Sequence, residues 1–223
     1  MLPTVLPHQI VRCNDYNLFA QQWIIQKYGE IQFPSPFVHN PMDFERMVLD
    51  YHKSLKVLYS LGGYGANRRR ILRGFPGHAQ NRYIYHALDI NVPPGTPVCV
   101  DHDCEVVVVD TDHDEQQPAV LGWGRRIIVA VPKFRLFLVY AHLSPGVHCS
   151  VKDKLKAGQL IGRVGTSKNN GQWYPHLHVQ MLTPEGWDYF HSRLHELDGY
   201  CTPAQLPLMR KWCPNPEPYL LLP

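Results

Sequence analysis

The segment Pro175-His176-Leu177-His178-Val179 separates two histidines by one residue, and this spacing constrains the chain more than any other feature. Successive side chains of a β-strand alternate between its two faces, so His176 and His178 would lie on the same face. Val179 and the apolar residues after it favour a strand, and Pro175 stands where that strand would begin. Two imidazoles on one face can share a metal ion, or divide metal binding and proton transfer between them. A surface pair on a sheet edge is the alternative in a chain with 13 histidines.

The composition is that of an ordinary globular protein, and it excludes several classes of function. Of the 223 residues, 44% are hydrophobic and 18% are charged, which is enough apolar material for a sizeable core. The formal net charge is only +3, and the single basic cluster is Arg68-Arg69-Arg70. No apolar run reaches the roughly 18 residues that a membrane-spanning helix needs. We therefore expect no nucleic-acid partner and no membrane span.

The cysteines and the first residues of the chain predict the redox state of the thiols and the cellular location of the protein. Six cysteines are scattered without a Cys-x-x-Cys pair, and in a chain of this length their spacing is not that of a disulfide framework. The first eight residues lack the basic region and the unbroken apolar run of a Sec-type signal peptide. We therefore expect free thiols and a cytoplasmic protein, or one that is exported by a non-Sec route.

Residues 1–80 are predicted to form a helical N-terminal segment. Asn14 can cap a helix that runs to about Tyr28, and Asn40-Pro41 has the residue types that begin a second helix. Apolar side chains then recur at helical spacing until the chain reaches Leu61-Gly62-Gly63; they are Phe44, Met47, Val48, Tyr51, Leu55, Leu58 and Tyr59. We interpret this stripe as a packing face.

From residue 83 onward the pattern changes to short runs that are rich in Val, Ile and aromatic residues. Seven runs are separated by turn residues, at 83–92, 97–100, 105–110, 126–131, 136–141, 159–164 and 178–182. With no helical pattern between them, they predict a mainly antiparallel β-sheet and, together with the N-terminal segment, an α+β fold. We expect the β domain to span residues 81–183, with a polar connection at 151–158. Residues 184–223 are predicted to be an irregular extension packed on that domain, with one short helix near 189–197.

Three further segments carry residues that complement the histidine pair. Residues 85–98 contain His-Ala-Leu-Asp before Pro-Pro-Gly-Thr-Pro-Val, residues 139–144 read Val-Tyr-Ala-His-Leu-Ser, and residues 158–165 read Gly-Gln-Leu-Ile-Gly-Arg-Val-Gly. A set of two histidines and one aspartate suits a catalytic zinc, which takes three protein ligands and leaves its fourth position to water. A neutral histidine beside that water can take and return protons near neutral pH.

These four segments, in this order, resemble the lysostaphin/LytM-type zinc metallopeptidases over residues 82–182. The resemblance implies a Zn²⁺-dependent metalloendopeptidase that hydrolyses peptide bonds, with peptidoglycan cross-bridges or stem peptides as the substrate class. Several members of this family have lost ligands and act as regulators or binding modules, which is the alternative function. Other segments, such as Gly63-Tyr64-Gly65 with nearby Arg68, resemble a subgroup that accompanies class III aminotransferase-like proteins.

Carried over by position, the resemblance makes Asp89 and His178 zinc ligands. It makes His142 and His176 the catalytic histidines, one as general base and one stabilising the oxyanion. The alternatives are that Asp89 is a solvated turn acid and that His142 is a packed core histidine.

The first zinc ligand is where the sequence departs from the family pattern. The pattern places a histidine four residues before the aspartate, but here that residue is Tyr85, and His86 is only three residues before Asp89. Neutral tyrosine is a poor zinc ligand, because its hydroxyl has a pKa of about 10. We therefore predict that a β-bulge turns His86 toward Asp89 and His178. The remaining alternatives are that His78 completes the site, or that the site is incomplete.

Overall fold

The computed structural model describes residues 10–13, 45–46, 49–50, 52–53, 56, 59–69, 80–112 and 122–220. The helix predicted from Asn14 to Tyr28 and the candidate ligand His78 both lie outside these residues. Of the second predicted helix, residues 45–46, 49–50 and 52–53 are helical. The structure thus describes only part of the predicted helical N-terminal segment.

Twelve strands account for most of the regular structure in the described part of the chain. In chain order they are β1 (Ile10–Cys13), β2 (Tyr59–Gly62), β3 (Ile84–Tyr85), β4 (Leu88–Asn91), β5 (Pro97–Cys99), β6 (Cys104–Thr111), β7 (Arg125–Val131), β8 (Leu136–Leu143), β9 (Lys154–Leu155), β10 (Leu160–Arg163), β11 (Leu177–Leu182) and β12 (Tyr200–Cys201). Eight of them form one sheet in the spatial order β1-β2-β4-β11-β8-β7-β6-β9. Only the β1–β2 pair is parallel among these neighbours.

The remaining elements are small and lie around this sheet. β5 pairs with β10, and β3 pairs with β12, in two separate two-stranded sheets. Two short helices follow the last long strand, α1 (Pro184–Phe190) and α2 (Leu206–Trp212), and 3₁₀ turns occur at Pro132–Phe134 and Glu217–Tyr219. α1 begins where the hydroxyl of Thr183 accepts a hydrogen bond from the Gly186 N–H, with Pro184 in the first turn.

The prediction of a mainly antiparallel β-sheet is confirmed. The predicted and observed elements differ at a few places, and each difference has a local cause. Tyr59, which the helical stripe included, lies in β2, where all four residues are buried. A strand buried on both faces shows no alternation, so periodicity does not separate it from a helix. The single run predicted at 83–92 is divided into β3 and β4, because His86 and Ala87 leave the strand conformation. β9 lies within the predicted polar connection, and α2 was not anticipated.

The register of the central strands places polar and apolar side chains on opposite faces of the sheet. Leu177, Val179 and Met181 belong to the main hydrophobic core together with side chains from the neighbouring strands. The alternate residue His178 pairs with Asp89 on one side and with Ala141 on the other. Because paired residues share a face, these side chains form one row across the sheet, which continues through Gly62, the partner of Asp89 in β2.

Two other sequence expectations concern the thiols and the membrane. The five cysteines whose side chains are described are free, as predicted; they are Cys99, Cys104, Cys149, Cys201 and Cys213. Within the described ranges, no helix is both long and apolar enough to cross a membrane.

A buried polar contact attaches the helical residues near position 52 to the sheet. His52 Nε2 lies 2.8 Å from the Ser60 hydroxyl, which also accepts a hydrogen bond from Asn91 Nδ2 at 3.0 Å. Burial lowers the pKa of His52 to about 4.

This pKa shift predicts an acid sensitivity. The folded pKa of His52 is below its unfolded value, so its contribution to stability is present above pH 6.5 and is lost as the pH falls toward 4. Replacing His52 with Gln keeps a polar side chain but removes the titration, so the unfolding free energy should fall less steeply over this interval. The difference in slope should approach about one proton. Urea denaturation of both proteins at several pH values measures it, and equal slopes would contradict the assignment.

Candidate functional site

Four of the five predicted site residues lie together on the polar face of the central sheet. Asp89 in β4 and His178 in β11 are register partners, and their Oδ1 and Nδ1 atoms are 3.5 Å apart. His176 precedes β11, and its Nε2 is 3.4 Å from the same Asp89 oxygen. The His142 ring lies 4.5 Å from the His176 ring, measured between centroids. All four side chains are buried.

A local backbone conformation brings His142 to this face. Ala141 already faces His178 across β8 and β11, so strict alternation would turn the next residue away. His142 instead has a φ of 63°, in the left-handed region that is uncommon for residues with a side chain. Its Nδ1 lies 2.9 Å from the carbonyl oxygen of Asn170, and its backbone N–H donates to Trp123. Since a carbonyl only accepts, Nδ1 carries a proton and Nε2 is the nitrogen that remains for chemistry.

His176 is held in the same tautomer by the same kind of hydrogen bond, from Nδ1 to a backbone carbonyl. Its Nδ1 donates to the carbonyl oxygen of Tyr174 at 2.8 Å. Burial lowers the pKa of His176, against the opposing charge of Asp89. Burial, together with the neighbouring His176 and His178, brings the pKa of His142 well below its usual value. Both imidazoles are therefore neutral at pH 7.

Tyr85 is the residue that lies between Asp89 and His178. Its hydroxyl donates a hydrogen bond to Asp89 Oδ1 and lies 2.7 Å from His178 Nδ1. The Tyr85 side chain is buried, and its ring meets Tyr200 at a centroid distance of 5.0 Å. Gly199 covers the other side so closely that a Cβ there would come within 2.9 Å of the Tyr85 ring.

Arg68 supplies the positive charge of the site. Its Nη2 lies 2.8 Å from Asp89 Oδ2, and Nη1 donates to the Tyr200 hydroxyl at 3.1 Å. Burial by itself would raise the pKa of Asp89, but the Arg68 guanidinium, followed by His176 and His178, holds that pKa well below its usual range. Gly62 makes this approach possible, because a Cβ there would come within 3.0 Å of Arg68 Nη2.

His86, predicted as the first zinc ligand, is placed elsewhere. Its Nδ1 lies 3.2 Å from Gln180 Nε2, and its backbone N–H donates to Gly199 at 2.9 Å. The predicted bulge would have turned His86 toward Asp89, but the structure places the Tyr85 hydroxyl there instead. The reason lies in the backbone between β3 and β4, where His86 and Ala87 leave the strand conformation and do not form the bulged strand that the prediction required.

The residues present do not fit a catalytic zinc. Such a zinc takes three protein ligands; of the three that the resemblance implies, Asp89 and His178 lie at the site and His86 does not. The neutral hydroxyl of Tyr85 is engaged with the ligand atoms of both, and Arg68 holds the second oxygen of the carboxylate. Among the residues that the structure describes, no three His, Cys, Asp or Glu side chains are arranged to hold a metal ion.

Two tryptophans border the histidine side of the site. The Trp123 ring lies 5.1 Å from the His178 ring and 6.4 Å from the His142 ring, measured between centroids. Trp173 lies 6.0 Å from His142, and its indole N–H donates to the Gly122 carbonyl at 2.9 Å. Both indoles are partly exposed, so this border joins the buried histidines to the surface.

The aspartate and the three histidines of this polar face lie in a segment of the chain that matches a family of peptidases. Residues 83–188 match the model of Peptidase family M23. This match confirms the resemblance to the lysostaphin/LytM type over these residues. The association with aminotransferase-like proteins remains a prediction.

Solved structures that are similar to the chain include two of lysostaphin. The catalytic domain of lysostaphin from Staphylococcus simulans is 22% identical, with a TM-score of 0.44, and the match covers 68% of this chain and 92% of that domain. A solution structure of lysostaphin is 26% identical, with a TM-score of 0.42, over 56% of this chain and 44% of that one. The catalytic domain of the prophage-encoded M23 protein EnpA from Enterococcus faecalis is 25% identical, with a TM-score of 0.37, over 45% and 69%. A comparison with curated proteins found no match.

Sequence reasoning did not assign roles to Arg68 and Tyr85. Tyr85 was visible as the residue four positions before Asp89, but it was judged only as a ligand and not as a hydrogen-bond donor. Arg68 stood in a basic cluster that gave no sign of burial, and its partner is 21 residues away. Only the fold brings the charges of Arg68 and Asp89 together.

The Arg68–Asp89 pair predicts a large effect on stability. Replacing Arg68 with Met would leave the Asp89 carboxylate buried without its cation, which should cost about 3–5 kcal/mol of unfolding free energy. Chemical denaturation measures the loss. Lys156→Met is the matched control, because it breaks an ion pair with Asp103 in which both side chains are exposed, and it should change little. Equal effects of the two substitutions would contradict the assigned role of Arg68.

Proposed function

We propose that the M23 domain of this chain binds peptides without hydrolysing them, as a binding or regulatory module. The observation that carries the proposal is the Tyr85 hydroxyl between Asp89 and His178. Both residues are hydrogen-bonded to the Tyr85 side chain, whereas a peptidase of this family would use them as zinc ligands. The chain thus keeps the fold of a peptidase and replaces the contact on which hydrolysis depends.

The proposed ligand is a peptide of the kind found in peptidoglycan cross-bridges or stem peptides. The match to a peptidase family supports a peptide ligand, and lysostaphin, to which the chain is similar, is described as an antimicrobial peptidase. The partly exposed indoles of Trp123 and Trp173 beside His142 suit such a ligand, because aromatic side chains supply contact area at low entropic cost.

A second candidate is peptide-bond hydrolysis with Zn²⁺, the activity that the sequence resemblance implies. His142 and His176 favour it, since each has Nδ1 fixed by a backbone carbonyl and Nε2 left for proton transfer. This candidate requires Asp89 and His178 to exchange their bonds with Tyr85 for a metal ion. We rank it second for that reason.

One experiment separates the two candidates. Purified protein is mixed with insoluble peptidoglycan, with and without added zinc; bound protein is measured by sedimentation and released peptides by chromatography. We expect binding in both conditions and released peptides in neither. Released peptides that depend on zinc and disappear in His142→Ala would favour hydrolysis, and the absence of both binding and release would refute both candidates.

The aromatic border predicts which variant loses binding. Trp173→Ala should weaken binding on the order of 10-fold, because it removes an indole beside His142. Tyr189→Ala is the control, since Tyr189 is also a partly exposed aromatic residue but lies in α1. The same sedimentation assay measures both variants, and equal affinities would contradict the assigned surface.

A further inference from the structure

We propose that Tyr85 and Arg68 together take the place of a metal ion, and that histidine at position 85 would convert the site into a zinc site. This inference concerns the metal alone, and it holds whether or not the domain binds peptides.

The spacing of Asp89 and His178 is that of two ligands around one ion. Two ligand atoms at about 2.0–2.1 Å from a tetrahedral zinc are about 3.4 Å apart. Asp89 Oδ1 and His178 Nδ1 are 3.5 Å apart, and the Tyr85 hydroxyl lies within hydrogen-bonding distance of both. The hydroxyl therefore occupies the position between two ligand atoms that an ion would take.

Arg68 provides the charge that such an ion would otherwise provide. A carboxylate that is 1% exposed, as Asp89 is, needs a positive partner. Arg68 Nη2 meets Asp89 Oδ2, while the guanidinium carbon lies 3.4 Å from the centroid of the Tyr85 ring. Arg68 thus contacts both the carboxylate and the ring that carries the hydroxyl, which fixes the two against each other.

The difference between tyrosine and histidine at position 85 is one of length as well as chemistry. The phenol ring extends its oxygen to the point between Asp89 and His178. An imidazole on the same Cα is shorter, so it would leave that point open and aim a nitrogen at it. Asp89, His178 and the new histidine would then be three zinc ligands, with Oδ2 of Asp89 still held by Arg68.

The test compares zinc content in three proteins that are produced in zinc-supplemented medium. Wild type and Tyr85→Phe should hold almost no zinc, because neither offers a third ligand, whereas Tyr85→His should hold about one zinc per chain. Zinc should raise the Tm of Tyr85→His, a chelator should reverse the rise, and adding His178→Ala to that variant should abolish it. A folded Tyr85→His without zinc would overturn the inference.

The wild-type protein gives a second measurement that needs no variant to fold. Excess zinc should leave its Tm unchanged, whereas a rise that a chelator reverses would overturn the inference. These outcomes are independent of peptidoglycan binding, so failure of this inference and failure of the proposed function are distinguishable.

Discussion

The buried ion pair between Arg68 and Asp89 is the interaction on which the site depends. Asp89 lies in the interior of the central sheet, between β2 and β11, where an isolated carboxylate would be strongly disfavoured. Gly62, the register partner of Asp89, leaves room for this contact, because a Cβ there would come within 3.0 Å of Arg68 Nη2. With the carboxylate ionised and held, Asp89 can accept a hydrogen bond from the Tyr85 hydroxyl and orient that residue against His178.

The site divides into two parts that have different environments. On one side, Arg68, Asp89, Tyr85 and His178 form a continuous hydrogen-bonded network that Gly199 and Tyr200 cover. On the other side, His142 and His176 are fixed by backbone carbonyls and adjoin the partly exposed tryptophans. We propose that the first part determines whether the site can hold a metal and that the second part is where a peptide binds.

The sequence predicted the sheet from short-range rules and most of the cluster from the family resemblance. Strand alternation placed His176 and His178 on one face, and the resemblance added Asp89 and His142, although the left-handed backbone of His142 is not readable from the sequence. The structure does not bring His86 to Asp89, because Tyr85 takes the position where the prediction expected a zinc ligand. Arg68 could not be found in advance, since a contact across 21 residues depends on the fold and leaves no periodic signal.

The central claim is that the Tyr85 hydroxyl fills the position between Asp89 and His178 even when zinc is abundant. Crystals of the wild-type chain grown with excess zinc, measured at the zinc absorption edge, test it most directly. The account predicts no anomalous peak within about 2.2 Å of Asp89 Oδ1 and His178 Nδ1, with the tyrosine oxygen between those two atoms. A strong peak at that position, with the Tyr85 ring displaced, would contradict the account.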